Sequence, residues 1–90
     1  MSLIDDAERI MLDDTVEMML SADYKERFKA EYYQLKIRHD KLCAMVEKWD
    51  KGELDFRPTC PRSTYTLQLA AMKDYLAILE ARAVMEGVEL

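Results

Sequence analysis

The sequence is poor in residues that interrupt helices and in residues that build covalent or metal frameworks. It has two glycines, two prolines, two cysteines and one histidine among 90 residues. Low glycine and proline contents disfavour a disordered chain and an all-β domain. Cys43 and Cys60 are too few for a disulfide framework, so we expect free thiols in a reducing compartment.

Long apolar runs and targeting signals are also missing. No apolar run approaches the roughly 18 residues that a membrane-spanning helix needs. The first residues carry Asp5, Asp6 and Glu8 where a secretory signal would be basic. We therefore expect a cytoplasmic protein without membrane contact, formed from one small domain.

Charge is distributed unevenly along the chain. The net charge of −5 divides into −6 for residues 1–23, +3 for residues 24–51 and −2 for the remainder. An excess of acid disfavours duplex DNA as a ligand, because DNA binding rests on neutralising phosphates. The acidic segment and the basic segment either attract each other, within or between chains, or are separately solvated faces.

One short break organises the chain. Both prolines and Gly52 fall in residues 50–63, and segments of helical period lie on either side. The pattern predicts an all-α fold, a long antiparallel hairpin in residues 23–90 with helices at about 23–50 and 60–86. Residues 1–22 form an acidic arm with a further predicted helix from about Ser2 to Leu20. Asp23, followed by Glu26, is the predicted cap of the second helix.

Apolar residues in both hairpin helices step by four and three, the spacing of a heptad seam. One seam comprises Phe28, Tyr32, Leu35, His39, Leu42, Val46 and Trp49, and the other Tyr65, Leu69, Met72, Leu76, Leu79 and Ala83. A second stripe on the last helix contains Ala71, Tyr75, Ile78 and Met85. Two stripes on one helix of a hairpin favour a homo-oligomer.

No catalytic or metal-binding constellation can be identified, so we expect neither enzyme activity nor a cofactor. His39 and Cys43 share a helix face, and they would either bind a metal across an oligomer axis or form part of the core. The core interpretation, with a histidine that sets the register, is favoured. Cys60 at a helix start would need a nearby base to act as a nucleophile, and the candidate base, His39, lies too far along the helix.

The break is the best candidate for a ligand site in the sequence. A helix N-terminus favours anions, and arginine and aromatic residues surround this one. The candidate residues for binding a phosphate and a stacked base are Phe56, Arg57, Thr59, Arg62 and Tyr65. The alternative is a structural corner in which Phe56 closes the hairpin, Thr59 caps the helix and the arginines are solvated.

The acidic arm suggests a second kind of partner. Carboxylates can imitate nucleic acid and occupy a basic groove on another protein. The candidate residues for such a contact are Asp5, Asp6, Asp13, Asp14 and Glu17.

The run Gly-Glu-Leu-Asp-Phe-Arg-Pro-Thr-Cys-Pro (52–61) has a family resemblance. Together with Leu67-Gln68-Leu69, Ala71-Met72, Tyr75-Leu76 and the ending Glu86-Gly-Val-Glu-Leu90, it resembles small helical-hairpin proteins of phages and prophages, related to a protein of crAss-like phages. The resemblance covers residues 24–90 and omits the acidic arm.

The resemblance implies an accessory phage protein that acts in the host cytoplasm and counters bacterial defence. The leading expectation is a non-enzymatic protein that sequesters a cyclic-nucleotide-type signal. The alternatives are an anti-CRISPR-like inhibitor that binds a host defence protein through its acidic arm, and a structural assembly module.

Overall fold

The computed structural model describes residues 10–90 of the chain and contains three helices in that range. They are α1 (Asp14–Met19), α2 (Tyr24–Asp50) and α3 (Arg62–Glu86). The all-α prediction is confirmed for this part of the chain, and α2 and α3 form the predicted antiparallel hairpin. No helix within residues 10–90 is both long and apolar enough to cross a membrane.

Helix α1 is shorter than the sequence pattern predicts, and the part of that prediction in residues 1–9 lies outside the described residues. Residues 10–13 form a turn because side chains hold their backbone. The Met11 N–H donates to Asp14 Oδ2 at 2.8 Å, and the Thr15 hydroxyl donates to the Leu12 carbonyl at 2.6 Å. Local bonds of this kind compete with helix formation. The short helix then packs on α2 of the same chain, where Thr15 is buried and accepts from Gln34 Nε2 at 3.0 Å.

Helix α2 begins at the predicted cap and ends at the predicted glycine. The Asp23 carboxylate accepts from the Lys25 N–H at 2.9 Å, which satisfies one of the free donors of the first turn. The Asp23 N–H donates to Ser21 Oγ, in place of the Glu26 side chain that a capping box would use. At the other end Gly52 has φ +71°, and the Gly52 and Glu53 amides donate back to Trp49 and Lys48. This is a Schellman ending, for which glycine is favoured because it has no Cβ.

Helix α3 starts after Pro61 and ends with the same motif. Gly87 has φ +69°, and the Val88 amide donates to the Ala83 carbonyl at 2.8 Å. Val88 is buried and belongs to the main core cluster, so the C-terminal residues are folded back onto the hairpin. The Lys25 ammonium also donates to the Gly87 carbonyl at 3.1 Å, tying the start of α2 to the end of α3.

The core lies at the end of the hairpin where α2 begins and α3 ends. It is built from residues of the predicted seams together with Val88 of the tail, and comprises Phe28, Tyr32, Leu76, Leu79, Ala83 and Val88, with Tyr33 and Leu35 packed against it. The Tyr32 hydroxyl donates to Glu80 at 2.7 Å, and burial, reinforced by this bond, raises the pKa of Tyr32. Tyr24 donates to Glu86, Tyr75 donates to Glu31, and the Arg82 guanidinium lies 5.0 Å from the centre of the Phe28 ring.

Candidate ligand-binding groove

The structure divides the residues that the sequence assigned to a ligand site in the break. Arg62 makes a bidentate pair with Asp50, at 3.0 Å from Nε to Oδ1 and 3.2 Å from Nη2 to Oδ2. Its Nη1 also donates to Thr66 Oγ1 at 2.7 Å. The hydrogen bond from Arg62 holds the pKa of the Asp50 carboxyl below its usual value. A ligand anion would therefore compete with Asp50 for the Arg62 guanidinium.

The other predicted site residues are spread over the linker. Tyr65 is half-buried and meets Trp49 edge to face, with ring centres 5.7 Å apart, so these two rings close the linker end of the hairpin. Arg57, Thr59 and Phe56 are exposed. Pro61, not Thr59, is the cap residue of α3, and it supplies no side-chain acceptor to the first turn. Among the predicted residues, Phe56 lines a pocket beside α2.

A first pocket of about 450 Å³ lies between residues 10–12 and one face of α2. This volume is within the roughly 300–1,000 Å³ that is typical of small-molecule sites. Ile10, Met11 and Leu12 form one wall, and the side chains of α2 form the other, namely Tyr33, Lys36, Ile37, Asp40, Lys41 and Ala44. The pocket thus offers an apolar interior, one aromatic ring and two ammonium groups.

A second pocket, of about 340 Å³, adjoins the first and shares Lys41 and Ala44 with it. Its remaining α2 residues are Met45 and Lys48, and the linker closes it with Glu53, Leu54, Asp55 and Phe56. The two pockets adjoin along α2, and we call them together the α2 groove. Tyr33 lies at one end of the α2 groove and Phe56 at the other.

The charges in the α2 groove favour an anion in the first pocket. Lys36 and Lys41 outnumber Asp40 there, whereas Lys41 and Lys48 balance Glu53 and Asp55 in the second pocket. Lys36 lies 3.4 Å from Asp40, a distance that holds the pair loosely. Lys41 and Lys48 have no ion-pair partner among residues 10–90. The Lys41 and Lys48 ammonium groups can therefore turn toward a ligand without breaking an existing ion pair.

His39 and Cys43 are adjacent, as their spacing predicts. The Cys43 Sγ lies 3.7 Å from His39 Nε2, and Asp40 Oδ1 lies 3.1 Å from His39 Nδ1. Both side chains are half-buried, and His39 belongs to the seam of α2. Residues 10–90 contain no group of three or more potential metal ligands.

The acidic residues assigned to a protein partner fall into three groups. Asp5 and Asp6 lie outside the described residues. Asp14 accepts the Met11 N–H and so stabilises the turn before α1. Asp13 and Glu17 are exposed on or next to α1. The described part of the acidic arm therefore presents three carboxylates to solvent, one of which, Asp14, is already engaged by the Met11 N–H.

The residues that the sequence interpretation missed are the ones on the outer side of α2. Lys36, Lys41 and Lys48 looked like solvated positions because they lie outside the heptad seam. The sequence did contain a signal for a binding surface here. Tyr33 is an aromatic residue outside the strict seam, and it shares a helix face with these lysines. The contribution of residues 10–12 was not predictable, because it depends on where the segment before α1 packs.

Comparison with known proteins gives one family. The profile of the family named Sequestin matches residues 22–85. The matched region contains α2, the linker and almost all of α3, and therefore every α2 and linker residue of the groove. Neither the curated proteins nor the solved structures contain a match to the chain. The match extends over most of the 90 residues, and the chain belongs to the Sequestin family.

Proposed function

We propose that this chain is a non-enzymatic binding protein that sequesters a small anionic molecule of the nucleotide type in the α2 groove. The observation that supports this most directly is the composition of that groove. Lys36, Lys41 and Lys48 provide positive charge on the same face of α2 that carries Tyr33, and Phe56 projects from the linker at the far end. Ammonium groups bind phosphate, and exposed aromatic faces stack on bases.

Binding without turnover fits the side chains in the α2 groove. The described lining offers lysines, carboxylates and one phenol, and the pair with the geometry of a thiol and a base, Cys43 and His39, is not part of it. The name of the family, Sequestin, points to the same kind of role. The resemblance to small phage proteins extends the proposal to counter-defence, in which removal of a host signal nucleotide would prevent its effector from responding.

Isothermal titration of the full chain with linear and cyclic mono-, di- and trinucleotides tests the proposal. We expect one or more of these ligands to release heat with a dissociation constant at or below the micromolar range. Saturating ligand should also raise the unfolding temperature, because a ligand at 100 times its dissociation constant stabilises a folded protein by about 2.7 kcal/mol. Folded protein that gives neither heat nor a thermal shift with any nucleotide would contradict the proposal.

Two charge reversals locate the site. Lys41→Glu alters the residue shared by both pockets, whereas Lys51→Glu makes the same change at the exposed cap residue of α2, outside the groove. We expect Lys41→Glu to weaken binding at least tenfold and Lys51→Glu to change it by less than threefold. Equal losses in both variants would indicate a general charge effect and no specific role for the groove.

Recovery of the ligand separates sequestration from catalysis. The complex is incubated for hours, the protein is heat-denatured, and the released nucleotide is analysed by mass spectrometry. We expect the ligand to be recovered unchanged and in stoichiometric amount. Conversion of the ligand to a product by wild-type protein, and not by heat-inactivated protein, would show that the chain is an enzyme.

A protein partner recognised by the acidic arm is the competing proposal, supported by the exposed Asp13 and Glu17. Truncation of residues 1–20 would not separate the two, because it would also remove Ile10, Met11 and Leu12 from the first pocket. A charge-neutralised variant separates the two proposals. It combines Asp5→Asn, Asp6→Asn, Asp13→Asn and Glu17→Gln in one chain. Sequestration predicts that this variant still binds the nucleotide, whereas an arm-dependent inhibitor would lose its protein partner.

A further inference from the structure

A nucleophile and a base lie side by side on α2, with a carboxylate behind the base. The Cys43 Sγ lies 3.7 Å from His39 Nε2, a separation at which a thiol can donate to a ring nitrogen. Asp40 Oδ1 lies 3.1 Å from His39 Nδ1, at the other side of the ring. The three side chains meet because residues three or four positions apart share a helix face. We call Cys43, His39 and Asp40 together the Cys43 relay.

The two contacts of the His39 ring determine which nitrogen carries the proton. A carboxylate accepts hydrogen bonds, so Nδ1 donates to Asp40. Nε2 is then the acceptor of the neutral imidazole, and the Cys43 thiol is its neighbour. Because sulfur and carboxylate lie against different nitrogens of one ring, they do not converge on a common metal ion. The arrangement is that of a path for a proton from Cys43 to His39.

Asp40 is placed to stabilise the imidazolium that such a transfer would form. Its Oδ1 is used by His39, and its Oδ2 lies 3.4 Å from Lys36 Nζ, so each oxygen has its own partner. A nucleophile beside a base that a third group orients is the general pattern of an activated side chain. Asp40 thus acts as a positioning residue for His39.

The second thiol of the chain lacks such a base. Cys60 is exposed in the linker, and its hydrogen-bond partner is the Tyr65 hydroxyl. This bond raises the pKa of Tyr65, so the phenol keeps its proton at neutral pH and cannot take one from the thiol. His39 is the single histidine of the sequence. The half-buried cysteine therefore has an imidazole, whereas the exposed cysteine has none.

We propose that Cys43 is a reactive thiol and a modification site for small neutral electrophiles, hydrogen peroxide in particular, which modify it in preference to Cys60. The electrophile must be small because Cys43 is half-buried. The proposal is independent of the nucleotide site, since neither Cys43 nor His39 lines the α2 groove.

The reaction with peroxide balances within the relay. The Cys43 proton moves to His39 Nε2, because the thiolate is the attacking form. The sulfur then forms a bond to one peroxide oxygen while the O–O bond breaks. The leaving hydroxide takes the proton from His39 and departs as water. The thiol is oxidised to a sulfenic acid, a state that other thiols can reduce again.

Competitive alkylation of the folded full chain tests the proposal. The chain is treated with a limiting amount of iodoacetamide, unfolded and digested, and mass spectrometry measures the label at each cysteine. General-base assistance contributes about 100-fold or more to a rate, and partial burial removes part of that gain, so we expect Cys43 to react about tenfold faster than Cys60. In concentrated urea the helix is lost, and the two thiols should react at similar rates.

Two substitutions remove the base or its carboxylate. His39→Gln should bring the rate at Cys43 below the rate at Cys60, because the thiol stays half-buried and loses its proton acceptor. Loss of the fold cannot imitate this result, since an unfolded chain gives equal rates. Asp40→Asn keeps an acceptor for Nδ1 and removes the charge, so it should lower the Cys43 rate by a smaller factor. Arg38→Gln, at an exposed neighbouring position of α2, is the matched control and should leave the ratio of the two rates unchanged.

Peroxide treatment in the presence of dimedone, which traps sulfenic acid, identifies the oxidised residue. We expect the dimedone adduct at Cys43 and much less of it at Cys60. Dithiothreitol added before the trap should prevent the adduct, because it reduces sulfenic acid. The Cys43 adduct should be lost in His39→Gln.

The proposal is wrong if Cys60 reacts as fast as Cys43 in the folded wild-type chain. It is also wrong if His39→Gln leaves the ratio of the two rates unchanged, or if Arg38→Gln lowers that ratio as much as His39→Gln does. Dimedone adducts in equal amounts at both cysteines would contradict the selectivity for Cys43.

Discussion

The two halves of the hairpin have the same heptad spacing and differ in how completely they are buried. The core half, residues 24–35 and 75–88, contains the main core cluster and most of the hydrogen bonds that join α2 to α3. The linker half, residues 36–50 and 62–74, has Val46 as its one buried α2 side chain among the described residues. A ring contact and an exposed ion pair lie at its end.

The difference separates stability from binding within one small domain. The core half buries large side chains and supplies most of the apolar stabilisation. The linker half leaves lysines and half-buried aliphatic residues along α2, and the α2 groove runs mainly over this half. Substitutions in the core half should therefore affect the free energy of unfolding, whereas substitutions in the groove should affect ligand affinity.

Leu79→Ala should give the largest effect. Leu79 is completely buried in the core half, and removing its side chain should lower the free energy of unfolding by about 2–5 kcal/mol. The matched variant Leu69→Ala, at a half-buried seam position of the linker half, should cost distinctly less. Urea denaturation of both variants measures the comparison. A larger loss at Leu69 would show that the linker half carries the stability.

Tyr32→Phe should give an intermediate effect. The variant keeps the ring in the core and removes the hydroxyl that donates to Glu80. A hydrogen bond to a charged group contributes about 1.5–3 kcal/mol to the free energy of unfolding, which sets the upper limit of the loss. We expect a smaller loss, because Glu80 is exposed and water can solvate its carboxylate. Urea denaturation of Tyr32→Phe beside Glu80→Gln and the double variant isolates the pair. Additive losses in the double variant would mean that the bond contributes nothing of its own.

Acid should lower the stability of the core half by protonating the Glu86 carboxylate. Hydrogen bonds from Tyr24 and Arg82 hold the pKa of Glu86 below its usual value of 4.5. The folded carboxylate is therefore favoured at neutral pH, and its contribution is present above pH 4.5 and lost as the pH falls through the lowered pKa. Thermal unfolding between pH 6 and pH 3 should show a smaller acid-induced drop for Glu86→Gln than for the wild-type chain. Identical pH profiles would show that Glu86 does not contribute to the loss of stability in acid.

Lys41→Glu should have the smallest effect on stability. Lys41 is exposed and has no ion-pair partner among residues 10–90, and surface changes of this kind usually alter the free energy of unfolding by about 0.5 kcal/mol or less. Its expected tenfold loss of ligand affinity should thus occur in a protein of unchanged stability. Urea denaturation of the ligand-free variant provides the check. A marked destabilisation would mean that the groove residues also hold the fold together.

The hairpin was predictable from the sequence because its signals are local. Heptad spacing located both seams, Asp23 marked the start of α2, and the positive φ angles of Gly52 and Gly87 fall where helix ends were expected. The turn at residues 10–13 was not predictable from apolar spacing alone, since it depends on hydrogen bonds from Met11 to Asp14 and from Thr15 to Leu12.

Little of the candidate site was predictable from the sequence. Arginine and aromatic residues in the linker suggested an anionic ligand, but the sequence could not show that Arg62 is paired with Asp50. It also could not show that Phe56 lies at the end of a groove over α2, because that depends on how the linker folds back after Gly52. Of the predicted residues, Phe56 alone became part of the α2 groove.

Chemical-shift mapping of the isotope-labelled chain during nucleotide titration tests the proposed nucleotide site in the α2 groove, because it reports ligand binding and its location together. We expect saturable shifts concentrated at Tyr33, Lys36, Lys41, Lys48 and Phe56, with the buried core residues Phe28, Leu79 and Val88 little changed. Shifts that are absent for every nucleotide, or that concentrate around Arg57 and Arg62 or along α1, would contradict it.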